Sequence, residues 1–167
     1  LGRAARFGHS LVCEEIVRAI GINAWLVGEH NGSSDGGVHS PLGLAVAFNH
    51  EATVSLALKQ LKDHEFSLLG YSEATVAGLP QGSEGGMSLF HVAAQWNAHN
   101  VMKLLLGKIV TVDTSMSVED GKSMSDSPGR RSLLPRTLDA TTPLHVAARY
   151  GHVQVATMIL EFTSGTD

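Results

Sequence analysis

"TTPLHVAARYGHVQVATMIL", residues 141–160, is the stretch whose reading decides the fold. It opens on Thr142-Pro143, a hydroxyl followed by proline. A hydroxyl at that place accepts from a backbone N–H that a helix start leaves unpaired, and proline next to it gives up a donor that had no partner. Small and apolar residues run on to Arg149-Tyr150. Gly151 then supplies the left-handed conformation that ends a helix. In "VQVATMIL" the apolar residues return every three or four positions, with Val155, Ala156, Ile159 and Leu160 on one buried stripe. The stretch encodes a short helix, a tight turn and a second helix.

The same frame occurs four times. "LGRAARFGH" (1–9), "PLGLAVAFNH" (41–50), "LFHVAAQWNAH" (89–99) and "PLHVAARYGH" (143–152) align on the pairs Ala4-Ala5, Ala45-Val46, Ala93-Ala94 and Ala147-Ala148. One residue after each pair comes an aromatic, then glycine or asparagine: Gly8, Asn49, Asn97, Gly151. Ser40, Ser88 and Thr142 are expected to cap the first helices, and Pro41 and Pro143 to open two of them. Second helices are expected to bury Val12, Cys13, Ile16 and Val17 in the first copy and Val101, Met102, Leu104 and Leu105 in the third.

On these residues the chain resembles the ankyrin repeat family. "TTPLHVAARYGHVQVATMIL" keeps the family pattern throughout, whereas "SLFHVAAQWNAHNVMKLLL" has Leu89 for proline and Asn97 for glycine. "SPLGLAVAFNHEATVSLAL" has Gly43 for histidine, and the first copy lacks its opening residues. The resemblance implies an all-α ankyrin-repeat solenoid of stacked helix–turn–helix units, as a single domain over 1–167. The units fall at about 1–21, 39–62, 87–109 and 141–162, with insertions at about 22–38, 63–86 and 110–140. Those insertions follow from spacing: 41, 48 and 54 residues separate Ala4, Ala45, Ala93 and Ala147, against a family period of about 33. Neither end shows the polar outer face of a terminal unit, so the chain is expected to be a fragment of a longer one.

Histidine is the side chain that most often does chemistry near neutral pH, and the chain has nine. His91 and His145 fall in first helical turns, where the resemblance implies a hydrogen bond between units with Ser88 and Thr142 as capping partners. His9, His50 and His152 follow the turns, and His30, His39 and His64 are expected to be solvated. There is no H-E-x-x-H, and a single cysteine, so no metal site and no cofactor are expected. "NGSSDG" (31–36) contains G-x-S-x-G on Ser34, but its flanks are a polar loop and a helix cap where a nucleophile elbow needs a strand and a helix. Its Asn31-Gly32-Ser33 is a glycosylation sequon without weight in an intracellular chain. "SVEDGKS" (117–123) has Met116 where a phosphate loop needs glycine. The expectation is that the chain is not an enzyme.

The aromatic before each turn stands out: Phe7, Phe48, Trp96 and Tyr150, four of the chain's nine aromatics in one register. Their predecessors are Arg6, Ala47, Gln95 and Arg149. Aromatics flanked by arginine are what interfaces enrich, so Phe7, Phe48, Trp96, Tyr150, Arg6, Gln95 and Arg149 are the expected partner-binding residues. The bland alternative has the rings sealing the groove between units. In "DSPGRRS" Ser127 is a candidate phosphosite, next to Arg130 and Arg131, within a polar loop that carries Asp113, Glu119, Asp120, Asp126 and Arg136. Phe66, Leu68 and Leu69 of the middle insertion are expected to fold back on the array, with Gly82, Gly85 and Gly86 turning into the next cap.

A net charge of −4 argues against nucleic acid as a partner. "AIGINAWLVG" (19–28) is about half the length of a spanning helix, so no membrane insertion is expected. The single cysteine, Cys13, fits an intracellular, cytoplasmic setting. The function expected is a protein–protein interaction module, a scaffold or adaptor that meets a protein partner with its concave face and loop tips. The alternative is the regulatory or targeting segment of a larger enzyme, such as a kinase or ubiquitin ligase.

Overall fold

The computed structural model describes residues 1–26, 40–61, 88–116, 136–137 and 140–164, with side chains of 110–116 left aside. Its α-helices are α1 (Gly2–Arg6), α2 (Ser10–Ile20), α3 (Pro41–Ala47), α4 (Glu51–Gln60), α5 (Leu89–Gln95), α6 (His99–Met116), α7 (Pro143–Tyr150) and α8 (Val153–Ser164). A 3₁₀ turn covers Ile22–Trp25. No strand occurs among the described residues. The fold is all-helical.

The helix starts follow the hydroxyl signals. Gly43 N–H donates to Ser40 Oγ at 3.1 Å, and His145 N–H donates to Thr142 Oγ1 at 3.4 Å. The stops follow the turn residues. Gly8, Asn49, Asn97 and Gly151 take φ of 73°, 59°, 53° and 72°. The N–H of the next residue reaches back five positions in each turn, from His9 to Ala4, His50 to Ala45, Ala98 to Ala93 and His152 to Ala147, always at 2.9 Å. This is the closure that a left-handed residue makes possible at a helix end.

Two rows result. α1, α3, α5 and α7 pack on one another in chain order, and α2, α4, α6 and α8 form the second row. Alanines make the first row close, since Ala5, Ala45, Ala93 and Ala147 are fully buried. Between the rows lie Val17, Val54, Leu58, Val101, Met102, Leu105, Val155 and Ile159.

Three expectations need correction. Val12 and Leu160 are exposed, at 51% and 52%, because α2 and α8 each have a single neighbour within their row, α4 and α6 respectively. The middle helices α4 and α6 are flanked on both sides and bury more of their stripes, although Leu104 is half-buried, as are Ile16 and Ala156 in the outer helices. The insertion at 22–38 begins with core: Trp25 is fully buried, and its Nε1–H donates to Gln60 Oε1 at 2.7 Å. Helix α6 also runs past 109 to Met116.

The two asparagine turns are not equivalent. Asn49 Oδ1 accepts from Val101 N–H at 3.1 Å, so it caps the first turn of α6 in the next unit, while Asn97 is exposed. Replacement by glycine relieves the left-handed conformation at both. Asn97→Gly should leave the urea midpoint unchanged or slightly raised. Asn49→Gly should lower stability by about 1 kcal/mol through the lost hydrogen bond. Equal effects at the two positions would refute the capping role.

Upstream of α7 the chain turns back on itself. Thr137 N–H donates to the Thr141 carbonyl and Ala140 N–H to the Thr137 carbonyl, both at 2.9 Å. Ala140 closes this turn with φ of 59°, a conformation costing an ordinary residue about 1–2 kcal/mol. Ala140→Gly should stabilise the protein by roughly 0.5–1 kcal/mol after glycine's own entropy cost. Thermal unfolding of the pair measures it; a lower midpoint for the glycine variant would refute the assignment.

Candidate partner-binding face

An aromatic stands at the end of each first-row helix, as the residue after α1, α3 and α5 and as the last residue of α7, directly before the left-handed turn. Phe7, Phe48, Trp96 and Tyr150 are all exposed, Phe7 most of all at 64%. Phe48 and Trp96 lie with ring centroids 6.3 Å apart and planes 26° from parallel. The Arg6 guanidinium carbon stands 5.0 Å from the Phe48 centroid, and that of Arg149 stands 5.9 Å from Tyr150. Gln95 Nε2 reaches the Tyr150 hydroxyl at 3.4 Å. These contacts connect six of the seven residues named from the sequence, Phe7 excepted, though not into one aromatic stack. Arg6 bridges to Phe48 while Phe7 packs on His9, and Gln95 links Trp96's helix to Tyr150.

Two histidines tie this face to the second row. His50 lies 6.5 Å from Phe48 and His152 lies 6.1 Å from Tyr150, both stacked. Their Nε2 atoms sit 2.8 Å from the Arg6 carbonyl and 2.9 Å from the Gln95 carbonyl. A carbonyl only accepts, so Nε2 carries the proton in both. Each ring therefore ties the start of a second-row helix to the end of the first-row helix in the preceding unit, α4 to α1 and α8 to α5. The sequence reading missed this role; the signal was histidine directly after three of the four turns. At the third turn Ala98 stands in that place, and the Asn49–Val101 bond makes the link. Gly8 is needed twice over, for its φ and because a Cβ there would come within 2.6 Å of His50 Nδ1.

His91 makes the one bond between units that the resemblance implied for His91 and His145. Ser88 N–H donates to its Nδ1 at 3.1 Å, and its Nε2 lies 3.0 Å from the Thr141 carbonyl. His145 is exposed and accepts from Thr142 N–H at 3.2 Å; a bond from it to another unit is not among those described. Burial pushes the His91 imidazole below its ordinary range, opposed by the Thr141 carbonyl. Burial likewise pushes the Cys13 thiol up, so Cys13 is a small core residue and a poor nucleophile.

Among the described residues no three His, Cys, Asp or Glu side chains converge as metal ligands. None of their helices is long and apolar enough to cross a membrane. Ser34, Ser127, Arg130, Arg131, the middle-insertion residues Phe66, Leu68, Leu69, Gly82, Gly85 and Gly86, and His30, His39 and His64 lie outside the described residues. No curated protein matches the chain. Residues 140–167 match the family model described as Ankyrin repeat, and the chain carries an ankyrin repeat in that segment.

Proposed function

We propose that the chain is a protein–protein interaction module built as a four-unit helical solenoid, with units at about 1–21, 39–62, 87–109 and 141–162. The observation that carries the reading is the row of half-exposed rings and arginines on the first-row helix ends. Ankyrin repeats are a general interaction module, and a face of aromatics and arginine has the composition from which hot spots are drawn. The identical turn geometry in all four copies supports one repeating architecture. Binding rather than catalysis is the task, in a reducing compartment that leaves Cys13 free.

The test uses a partner recovered by affinity capture with the full chain. Trp96→Ala should weaken its binding by about 2 kcal/mol or more, because the half-exposed ring has much surface left for a partner. Helicity should change little. A Phe48/Trp96/Tyr150 triple alanine variant should abolish capture. Unfolding of the single variant, or capture unaffected in the triple, would assign the rings to packing instead.

A further inference from the structure

The chemistry of this face narrows the occupant. None of the first-row helices α1, α3, α5 and α7 contains an aspartate or glutamate, whereas they carry Arg3, Arg6 and Arg149. The acids of the described residues outside 110–116 (Glu14, Glu15, Glu51 and Glu161) belong to the second row. A chain of net charge −4 thus sets three cations and no acid along the row that bears its exposed rings.

Among the described residues none of those cations is in an ion pair. The described ion pairs join Arg18 to Glu14 and Glu15, and the contacts of Arg6 and Arg149 are with ring faces. A guanidinium over a ring keeps its planar N–H edge free for a carboxylate, and the ring limits the freedom lost on pairing. Arg6 belongs to the first unit and Arg149 to the fourth, with Phe48 and Trp96 between them. From these positions we infer that the face binds an acidic peptide segment, apolar or aromatic in its middle and with carboxylates toward both ends. The inference rests on the interaction-module reading. Rings and arginines also suit single-stranded nucleic acid, but a phosphate backbone calls for a continuous basic groove. Here the middle of the row is Ala47 and Gln95, uncharged.

The experiment pans a random twelve-residue peptide library on the immobilised full chain, then measures the selected peptides by fluorescence anisotropy. Enrichment of net-acidic peptides with central apolar residues is expected. Arg6→Gln/Arg149→Gln should weaken them roughly tenfold at about 50 mM salt, and the difference should shrink near 500 mM. Arg6→Lys/Arg149→Lys should retain much of the acidic preference, which separates charge from any packing defect. Enrichment of neutral or basic peptides overturns the inference while leaving the interaction module standing. So does an acidic preference that survives in the glutamine variant. A single-stranded RNA twelve-mer binding more tightly than every selected peptide overturns it in favour of nucleic acid. If the wild type selects no peptide, or the Phe48/Trp96/Tyr150 alanine variant selects the same set, the binding-face reading fails with it.

Discussion

Replacing Trp25 with alanine should lower the unfolding free energy by about 4 kcal/mol, the range for emptying a fully buried indole. Trp25 is completely enclosed, and its 3₁₀ turn packs on both α2 and α3. It therefore fills the end of the space between the two rows. The indole N–H adds a hydrogen bond to Gln60 at the end of α4, so one side chain secures three helices. Trp25→Phe separates the two contributions. It keeps most of the apolar volume and removes the donor, and should cost about 1–2 kcal/mol. Urea unfolding followed by far-UV circular dichroism measures both variants. A loss under 1 kcal/mol for Trp25→Ala would mean that the turn is peripheral and the helix pairs alone hold the core.

The repeat spacing carries no sign of this role for Trp25, and the reason is physical. The four copies are legible because their determinants are local. A capping hydroxyl acts three residues away, and a left-handed turn closes over five residues. Ser40, Thr142, Asn49, Asn97, Gly8 and Gly151 accordingly stand where their chemistry implies. The insertion after α2 carries no repeat signature of its own. Its Trp25 meets Gln60 across 35 positions, and no periodicity announces such a contact. Val12 and Leu160 fail for a related reason. A helical stripe shows which face is apolar, while the number of neighbouring helices decides how much of that face is covered.

The candidate face shows the same division. Its aromatics and arginines could be named because they recur in register, which is a property of the repeat. Their pairing could not, since it depends on how far one unit is rotated on the next. Phe48 meets Trp96, but Phe7 turns to His9 and leaves Arg6 to cover Phe48. The histidines after the turns were visible as a pattern yet had no assigned partner. A hydrogen bond to a main-chain carbonyl leaves no mark in the sequence of the accepting residue.

His91→Leu should lower stability by about 3 kcal/mol at neutral pH and flatten its dependence on pH. The ring is fully buried and its two nitrogens do different work. Ser88 N–H can only donate, so Nδ1 accepts, and the proton sits on Nε2 facing the Thr141 carbonyl. Leucine fills similar space but leaves the buried Ser88 N–H without its acceptor, at about 1–3 kcal/mol, and removes one of the bonds to the Thr141 carbonyl, which still accepts from Thr137. Protonation of His91 would place a second N–H against the Ser88 N–H, and burial already holds the imidazole below its ordinary 6.5. The folded pKa therefore lies under the unfolded one, and the unfolded chain takes up the proton first as pH falls. This group's contribution is complete above about 6.5 and declines as pH falls from there through the folded pKa. Urea midpoints at pH 7.5 and 5.5 should diverge more for the wild type than for His91→Leu. Identical pH slopes in the two proteins would mean that His91 is accommodated in its charged form, against the geometry of Ser88.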